Sequence, residues 1–220
     1  MIVQVFAVKS IQEMQLCIDA GLDRWGLEVG KKGLMPSETN FETARLIFSA
    51  TPSPYPKMAL TIETDIEDLV ELVEETRPDL LHLCGDIRQL PPEGVTALRK
   101  RIPGVEIIQA IPVTGPEALD IALAYEPVVD VLFLDSVSPE VNGIGIAGVT
   151  HDWNISRKIV STAKKPCILA GGLSPENVAD AIRAVHPWGV DSNTHTCVPG
   201  TWQKDFTRMQ QFVQAARSAE

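Results

Sequence analysis

Eight short apolar segments alternate with amphipathic segments along the whole chain, and this alternation constrains the fold more than any other feature of the sequence. The apolar segments predict strands at residues 2–8, 25–29, 57–63, 79–83, 105–111, 128–134, 166–170 and 188–192. The segments between them predict helices, as at 65–76 and 205–216, where apolar residues recur at i, i+3, i+4 and i+7. Strands buried on both faces are expected to be almost continuously apolar, and these segments are.

Eight strand–helix units in 220 residues predict a TIM (β/α)8 barrel rather than an open doubly wound sheet. The length suits one domain, so we expect residues 1–220 to form a single barrel. Helix starts are predicted by capping boxes at Ser10/Glu13, Thr64/Glu67 and Thr114/Glu117, and by Ser174 followed by Pro175. Active sites of such barrels lie at the carboxyl ends of the strands, so polar residues there are the candidates for chemistry.

The charge and cysteine pattern excludes several classes of partner. The formal net charge is −10 and no long run of Lys and Arg is present, so neither nucleic acid nor a membrane surface is expected to bind. The four cysteines are widely spaced, no secretory leader is recognisable, and the apolar stretches are shorter than a membrane span. We therefore expect a cytoplasmic protein, with a homodimer as one assembly to be tested.

Four strand-end side chains form a candidate metal site. Glu28, Glu63, His82 and Asp135 follow strands two, three, four and six, and all four could point into the mouth of the barrel. Carboxylates and a neutral imidazole suit a divalent ion such as Zn, Mn or Fe, which would relieve the repulsion between the carboxylates. The alternative is that Glu28 and Glu63 form ion pairs at the rim of the barrel with Lys9, Lys31 or Lys32.

Two glycines in the segment ILAGGLSPENVADAI (168–182) mark a candidate anion site. Gly171 and Gly172 lie between a predicted strand and a predicted helix, where free backbone N–H groups at a helix N-terminus suit a phosphate. The alternative is a tight turn that needs glycine only for its backbone angles.

Three segments resemble a known family in order and spacing. LDSVSPEVNGIGIAGVTHDW (134–153), ILAGGLSPENVADAI and VDSNTHTCVPGTWQKD (190–205) are similar to the C-terminal half of phosphoribosylanthranilate isomerases, and DLLHLCGD (79–86) extends the similarity weakly. The resemblance implies a TIM barrel that performs an Amadori rearrangement in tryptophan biosynthesis. It implies that Asp135 is the general acid, and that phosphate binds at the glycine loops and after strand eight, at Gly143, Gly145, Gly171, Gly172, Asn193 and Thr194.

The sequence departs from this family at the position of the general base. The family carries a catalytic Cys on the first strand, where this chain has Phe6, and an Arg after the second strand, where residues 31–40 contain none. Without the thiol, a carboxylate or a histidine is expected to act as base, and Glu28, His82 and His195 are the candidates. His151 and His186 lie in connecting segments, where we expect surface residues.

The sequence thus predicts an isomerase that interconverts or epimerises a sugar phosphate or similar small polyol through an enolisation, with a divalent metal as an optional cofactor. One alternative is a binding or regulatory relative that has lost the chemistry. A further alternative is phosphoribosylanthranilate isomerase activity itself.

Overall fold

A computed structural model describes residues 1–137, 143–145 and 148–219. Within these residues eight strands alternate with eight α-helices. The strands are β1 (Ile2–Val5), β2 (Arg24–Glu28), β3 (Met58–Thr61), β4 (Leu80–Leu83), β5 (Glu106–Pro112), β6 (Val131–Asp135), β7 (Cys167–Leu169) and β8 (Gly189–Ser192). The helices are α1 (Ile11–Asp19), α2 (Phe41–Ala50), α3 (Ile66–Thr76), α4 (Pro92–Arg101), α5 (Ala118–Tyr125), α6 (Trp153–Thr162), α7 (Val178–Val185) and α8 (Phe206–Arg217).

The strands form one closed parallel barrel in sequence order, and β8 pairs with β1 to close it. The predicted TIM barrel is therefore confirmed, and each of the eight predicted strands overlaps an observed one. Six of the observed strands are shorter than the segments that predicted them. The other two, β2 and β5, have the predicted length and are shifted by one residue. In the described part of the chain, no helix is both long and apolar enough to cross a membrane.

Apolar side chains form two separate clusters, one on each face of the barrel wall. The larger cluster lies between the strands and the surrounding helices. The smaller fills the barrel interior and comprises Phe6, Met58, Leu60, Leu80, Cys84, Ile108, Ala110, Val131, Phe133, Ile168 and Ala170, joined by Met35 and Ile144. Met35 follows β2 and Ile144 follows β6, so side chains from beyond the strand ends complete this interior cluster.

The predicted cap is correct at α1 and is shifted by one residue at α3. At α1 the Ser10 hydroxyl accepts from the Glu13 amide at 3.1 Å as predicted, but the Glu13 carboxylate accepts from the Lys9 amide at 2.8 Å. At α3 the cap is Asp65, whose side chain accepts from two amides of the first turn. Thr64, the predicted cap, donates to Gln89 instead. A carboxylate is the better acceptor for orphan amides, which explains the one-residue shift.

The other two predicted starts lie before the helices rather than at them. Thr114 and Glu117 bond through their side chains at 2.8 Å, and α5 begins after Glu117. Ser174 opens a turn in which its hydroxyl accepts from the Glu176 amide at 3.2 Å, and α7 begins after Asn177. The loop after β7 is therefore longer than the sequence predicted.

Candidate active site

Three buried carboxyl groups lie at the carboxyl end of the barrel. Glu28 and Asp135 are the last residues of β2 and β6, and Asp191 is on β8. All three line one cavity at the barrel mouth. Parallel strands bring their carboxyl ends to the same end of a barrel, which is why residues far apart in sequence meet there.

The two oxygens of Asp135 have different surroundings. Oδ1 accepts from the Ser136 amide at 2.7 Å. Oδ2 lies against Gly145, where a Cβ atom would approach it to 2.3 Å, so no larger residue fits at that place. Burial, and secondarily the charge of Asp191, raise the pKa of Asp135 to about 8, although the Ser136 hydrogen bonds oppose the shift. A carboxyl group with this pKa is protonated at neutral pH and can donate a proton, which is the role that the resemblance implies for Asp135.

Asp191 is held by a chain of polar side chains inside the barrel. Its Oδ1 accepts from Gln4 Nε2 at 3.1 Å, and Gln4 Oε1 accepts from Arg24 Nε at 2.7 Å. Burial raises the pKa of Asp191 to about 7, while the Gln4 hydrogen bond and the charges of Lys204 and Arg24 lower it. Near neutral pH this places an ionisable base in the same cavity as a protonated acid.

Phe6 occupies the place where the resemblance implies a catalytic thiol. Its ring lies 4.9 Å from that of His82 and 6.1 Å from that of Phe133, measured between centroids. Gly26 on the neighbouring strand makes room for it, since a Cβ atom there would lie 2.1 Å from the Phe6 ring. Strand β1 thus brings an apolar side chain, packed into the interior cluster, rather than a proton acceptor.

Glu28 is tied to the two loops beside it. Oε2 accepts from the hydroxyl of Ser37 at 2.7 Å and from its amide at 3.3 Å, and Oε1 accepts from Asn193 Nδ2 at 3.4 Å. Burial raises the pKa of Glu28, and these hydrogen bonds oppose the rise. The Asn193 side chain also accepts from Lys204 Nζ at 3.1 Å, so it links two loops rather than facing an anion.

Glu63 does not join the other three predicted metal ligands. Its carboxylate pairs with Lys32 Nζ at 2.8 Å at the rim, and Lys32 also pairs with Asp68 at 2.8 Å. This is the ion-pair alternative for Glu63, whereas Glu28 is held by Ser37 and Asn193. Among the residues that the structure describes, no group of three or more His, Cys, Asp or Glu side chains is arranged to hold a metal ion. The four predicted ligands are therefore not brought together in the described part of the chain.

His82 is fully buried between two aromatic rings. Phe133 lies 4.2 Å from it on one side, and Phe6 lies on the other. Its Nε2 contacts Cys84 Sγ at 3.3 Å, and burial lowers the pKa of the imidazole to about 3. His82 therefore stays neutral at physiological pH and packs as part of the interior, although it lines the cavity.

Three loops converge beside Asp135, and glycine is needed where they touch. A Cβ on Gly172 would lie 2.6 Å from the backbone of Val149, and one on Gly148 would lie 3.3 Å from Thr194 Oγ1. The corner is lined by most of the predicted anion-binding residues, which are Gly145, Gly171, Gly172, Asn193 and Thr194, together with Gly148 and His195. Gly143, also predicted, does not line it.

His195 lies in this corner, on the 3₁₀ helix Thr194–Thr196. Its Nε2 is 3.2 Å from the Gly148 carbonyl oxygen, so it bridges the loops after β6 and β8. The sequence predicts His195 as a candidate base. The contact with Gly148 instead favours a role in holding these two loops together.

Three further residues of this site were given no role from the sequence: Asp191, which qualified only as a polar residue near a strand end, and Gln4 and Ser37. Asp191 stands inside an apolar strand segment, and its position one residue from the strand end was the available signal. Gln4 and Ser37 carry no local signal, since their roles depend on partners on other strands and loops.

Comparisons with known proteins agree on the family. The family model of N-(5'-phosphoribosyl)anthranilate (PRA) isomerase matches residues 3–215. The N-(5'-phosphoribosyl)anthranilate isomerase 2 of Methanosarcina mazei is 36% identical over 193 residues, covering 87% of this chain and 84% of the relative. The N-(5'-phosphoribosyl)anthranilate isomerase of Haloferax volcanii is 34% identical, covering 99% and 93%.

A solved structure supports the fold. The phosphoribosyl anthranilate isomerase of Thermotoga maritima superposes with a TM-score of 0.83 at 24% identity, covering 99% of this chain and 100% of that one. Together with the match of the family model over nearly the whole chain, this establishes that the protein belongs to the N-(5'-phosphoribosyl)anthranilate isomerase family.

Proposed function

We propose that this chain is an aldose–ketose isomerase that acts on N-(5'-phosphoribosyl)anthranilate, the substrate in the names of its relatives. The observation that carries the proposal is that Asp135 and Asp191 line one cavity beside the glycine corner. Their pKa values, raised to about 8 and about 7, supply an acid and a base near neutral pH. Activity on N-(5'-phosphoribosyl)anthranilate is thus favoured over the broader sugar-phosphate isomerase activity that the sequence predicts.

The reaction begins with two proton transfers, one to the ring oxygen of the sugar and one from C2'. Asp135 protonates the ring oxygen while the bond from that oxygen to C1' breaks, and the nitrogen lone pair forms an iminium at C1'. The Asp191 carboxylate then removes the proton on C2', which gives an enolamine. Return of a proton to C1' and loss of the hydroxyl proton at C2' yield the ketose, so the reaction requires no oxidant or reductant.

The glycine corner supports binding of the substrate phosphate. Gly171 and Gly172 adopt positive φ angles of 80° and 60°, conformations that L side chains rarely adopt. Such backbone can turn amides toward an anion. Lys204, buried behind the Asn193 carbonyl, adds a positive charge on this side of the mouth. We propose that phosphate binds in this corner, next to the Asp135 carboxyl.

Glu28 favours a second candidate substrate. In the family, an Arg after the second strand is implied to hold the anthranilate carboxylate, whereas here the loop supplies Ser37 to a buried Glu28. A carboxylate at this place suits a substrate that offers hydroxyl groups. The second candidate is therefore isomerisation of a phosphorylated sugar or polyol without the anthranilate group.

Turnover of N-(5'-phosphoribosyl)anthranilate by purified protein tests the proposal, and growth of a tryptophan auxotroph that lacks this isomerase tests it in cells. We expect conversion by the wild type and loss of it in Asp135→Asn. The matched control is Asp120→Asn on the exposed side of α5, which should retain the rate. Binding of the substrate without conversion would instead support a binding or regulatory relative.

Two further expectations stay proposals. We propose a cytoplasmic location. We also propose a homodimer as the assembly to test, since one related structure is of monomers generated from a dimeric phosphoribosylanthranilate isomerase of Thermotoga maritima. Sedimentation of the purified chain measures the assembly directly.

A further inference from the structure

His151, which its connecting position predicted to be a surface residue, is only partly exposed. It directly precedes Asp152, the N-cap of α6, and its side chain turns inward. Nε2 lies 2.7 Å from the hydroxyl of Ser156, which is fully buried. Burial lowers the pKa of His151 to about 4 despite the nearby charge of Asp152. The ring is therefore neutral at physiological pH and carries one hydrogen.

The second nitrogen of this ring has no hydrogen-bond partner within the described ranges. Nδ1 is buried, and an unpaired buried polar atom costs free energy, so its position calls for an explanation. A Cβ added to Gly171 would lie 3.0 Å from His151 Nδ1, 3.1 Å from Asp135 Oδ1 and 3.1 Å from the Ser136 amide. The imidazole and the carboxyl group of the proposed acid therefore both border the space beside Gly171, and no described hydrogen bond joins them.

We propose that His151 is a positioning residue for Asp135, and that the Ser156–His151 pair changes tautomer with the protonation state of that carboxyl. The inference deepens the proposed function, since it rests on the assignment of Asp135 as the acid. It concerns Oδ1, the oxygen held by the Ser136 amide, and leaves Oδ2 free to face the cavity.

The two tautomers favour opposite states of the carboxyl group. When Nε2 carries the hydrogen and donates to Ser156, the Nδ1 lone pair faces Asp135 and favours its protonated form. When the Ser156 hydroxyl donates to Nε2, Nδ1 carries the hydrogen and stabilises the Asp135 carboxylate. The exchange moves one proton within the ring, so the charge of His151 does not change while Asp135 gives up and regains its proton.

Other titratable groups act on Asp135 from the surrounding strands. Asp191 on β8 raises its pKa, and Glu28 on β2 and Cys84 on β4 line the same cavity. The neutral ring of His82 lies among them. None of these groups forms a described hydrogen bond with Asp135 Oδ1. That oxygen accepts from Ser136 and borders the space next to His151. A response of His151 to pH therefore reports on Asp135 if it disappears when Asp135 cannot ionise.

Nitrogen NMR of protein labelled with ¹⁵N in its histidine rings tests this without substrate or turnover. The chain has four histidines, so single substitutions assign the resonances. We expect the ¹⁵N chemical shifts of His151 to change from those of the Nε2–H tautomer to those of the Nδ1–H tautomer as pH rises. The midpoint should lie near the Asp135 pKa of about 8. In Asp135→Asn this transition should be lost, and in Asp191→Asn it should persist with a lower midpoint. Exposed His186 should not change between the wild type and Asp135→Asn.

Two results would overturn the inference. One is a His151 ring whose shifts stay constant through the ionisation of Asp135, and the other is the same transition in Asp135→Asn. Ser156→Ala supplies a second variant, in which the tautomer preference at low pH should weaken because its acceptor is gone. If Asp135→Asn abolishes the transition although no N-(5'-phosphoribosyl)anthranilate is converted, the proposed substrate fails while the coupling stands.

Discussion

Strands β1 and β8 are neighbours in the barrel, yet they bring opposite chemistry to its mouth. Directly after β1, Phe6 packs among His82, Phe133 and the space left by Gly26. On β8, Asp191 lies in the cavity as a buried carboxyl, held by Gln4 from β1. Gln4 and Asp191 are directly paired in the strand register. Strand β1 therefore supplies no base, but its Gln4 orients the Asp191 carboxyl on β8.

The difference shows how the barrel tolerates loss of a catalytic side chain. All eight strands end around one cavity, so a base can come from any of several strands without a change of fold. The requirement is that a group with a pKa near neutral stays within reach of the acid. Asp191 meets the pKa requirement, since burial raises its pKa to about 7.

Asp191→Asn is expected to give the largest effect. The amide keeps the size of the side chain but cannot accept the C2' proton, so the rate should fall by about 10²–10⁴-fold, the usual contribution of a general base. Steady-state rates with N-(5'-phosphoribosyl)anthranilate measure this, beside Asp120→Asn as control. A rate within a few-fold of the wild type would assign the base to another residue.

Restoring a thiol on β1 is expected to destabilise the protein without restoring catalysis. Phe6→Cys removes a buried ring and leaves a cavity, which should cost roughly 3 kcal/mol in the free energy of unfolding, as for other truncations of buried phenylalanine. Chemical denaturation measures the loss, and Phe6→Leu should lose less. In the Asp191→Asn background Phe6→Cys should leave the rate low, and a recovery would show that β1 still sets the position of the base.

The two acidic groups predict how stability depends on pH. Their ordinary pKa is 3.8, and folding raises it to about 7 for Asp191 and about 8 for Asp135. Between about pH 4 and 8 the folded state therefore holds more protons than the unfolded state, so the free energy of unfolding falls as pH rises. The slope is at most about 1.4 kcal/mol per pH unit for each group. Denaturation of the wild type and Asp191→Asn from acidic to mildly alkaline pH should show a flatter dependence in the variant.

Changes at Glu63 are expected to have the smallest effect. Its partner Lys32 is 42% exposed, and ion pairs with solvent-exposed groups contribute little, so Glu63→Gln should change the free energy of unfolding by less than about 1 kcal/mol.

Because Glu63 is engaged at the rim, we also expect full activity in the presence of a chelator. Elemental analysis with one transition metal per chain, and activity lost on chelation, would restore the metal hypothesis.

The barrel was predictable from the sequence because strand and helix periodicities depend on local patterns. Asp135 was predictable as well, since it ends an apolar strand in a recognisable segment. The partners of each site residue were not: Ser37 reaches Glu28 from a loop, and Lys32 draws Glu63 away from the mouth. The packing of the His151 ring beside Gly171 was not predictable either, because these two loop residues are far apart in the sequence.

The central claim is that Asp135 and Asp191 carry the two proton transfers with no thiol on β1. Its most direct test is the conversion of N-(5'-phosphoribosyl)anthranilate that carries deuterium at C2', by the wild type and by Asp191→Asn. The account predicts that the wild type converts the deuterated substrate more slowly than the ordinary one, with a rate that rises with pH as Asp191 ionises. It also predicts that Asp191→Asn converts both substrates about 10²–10⁴-fold more slowly than the wild type converts the ordinary one. Conversion of both substrates by Asp191→Asn at the wild-type rate, or no conversion by the wild type, would contradict it.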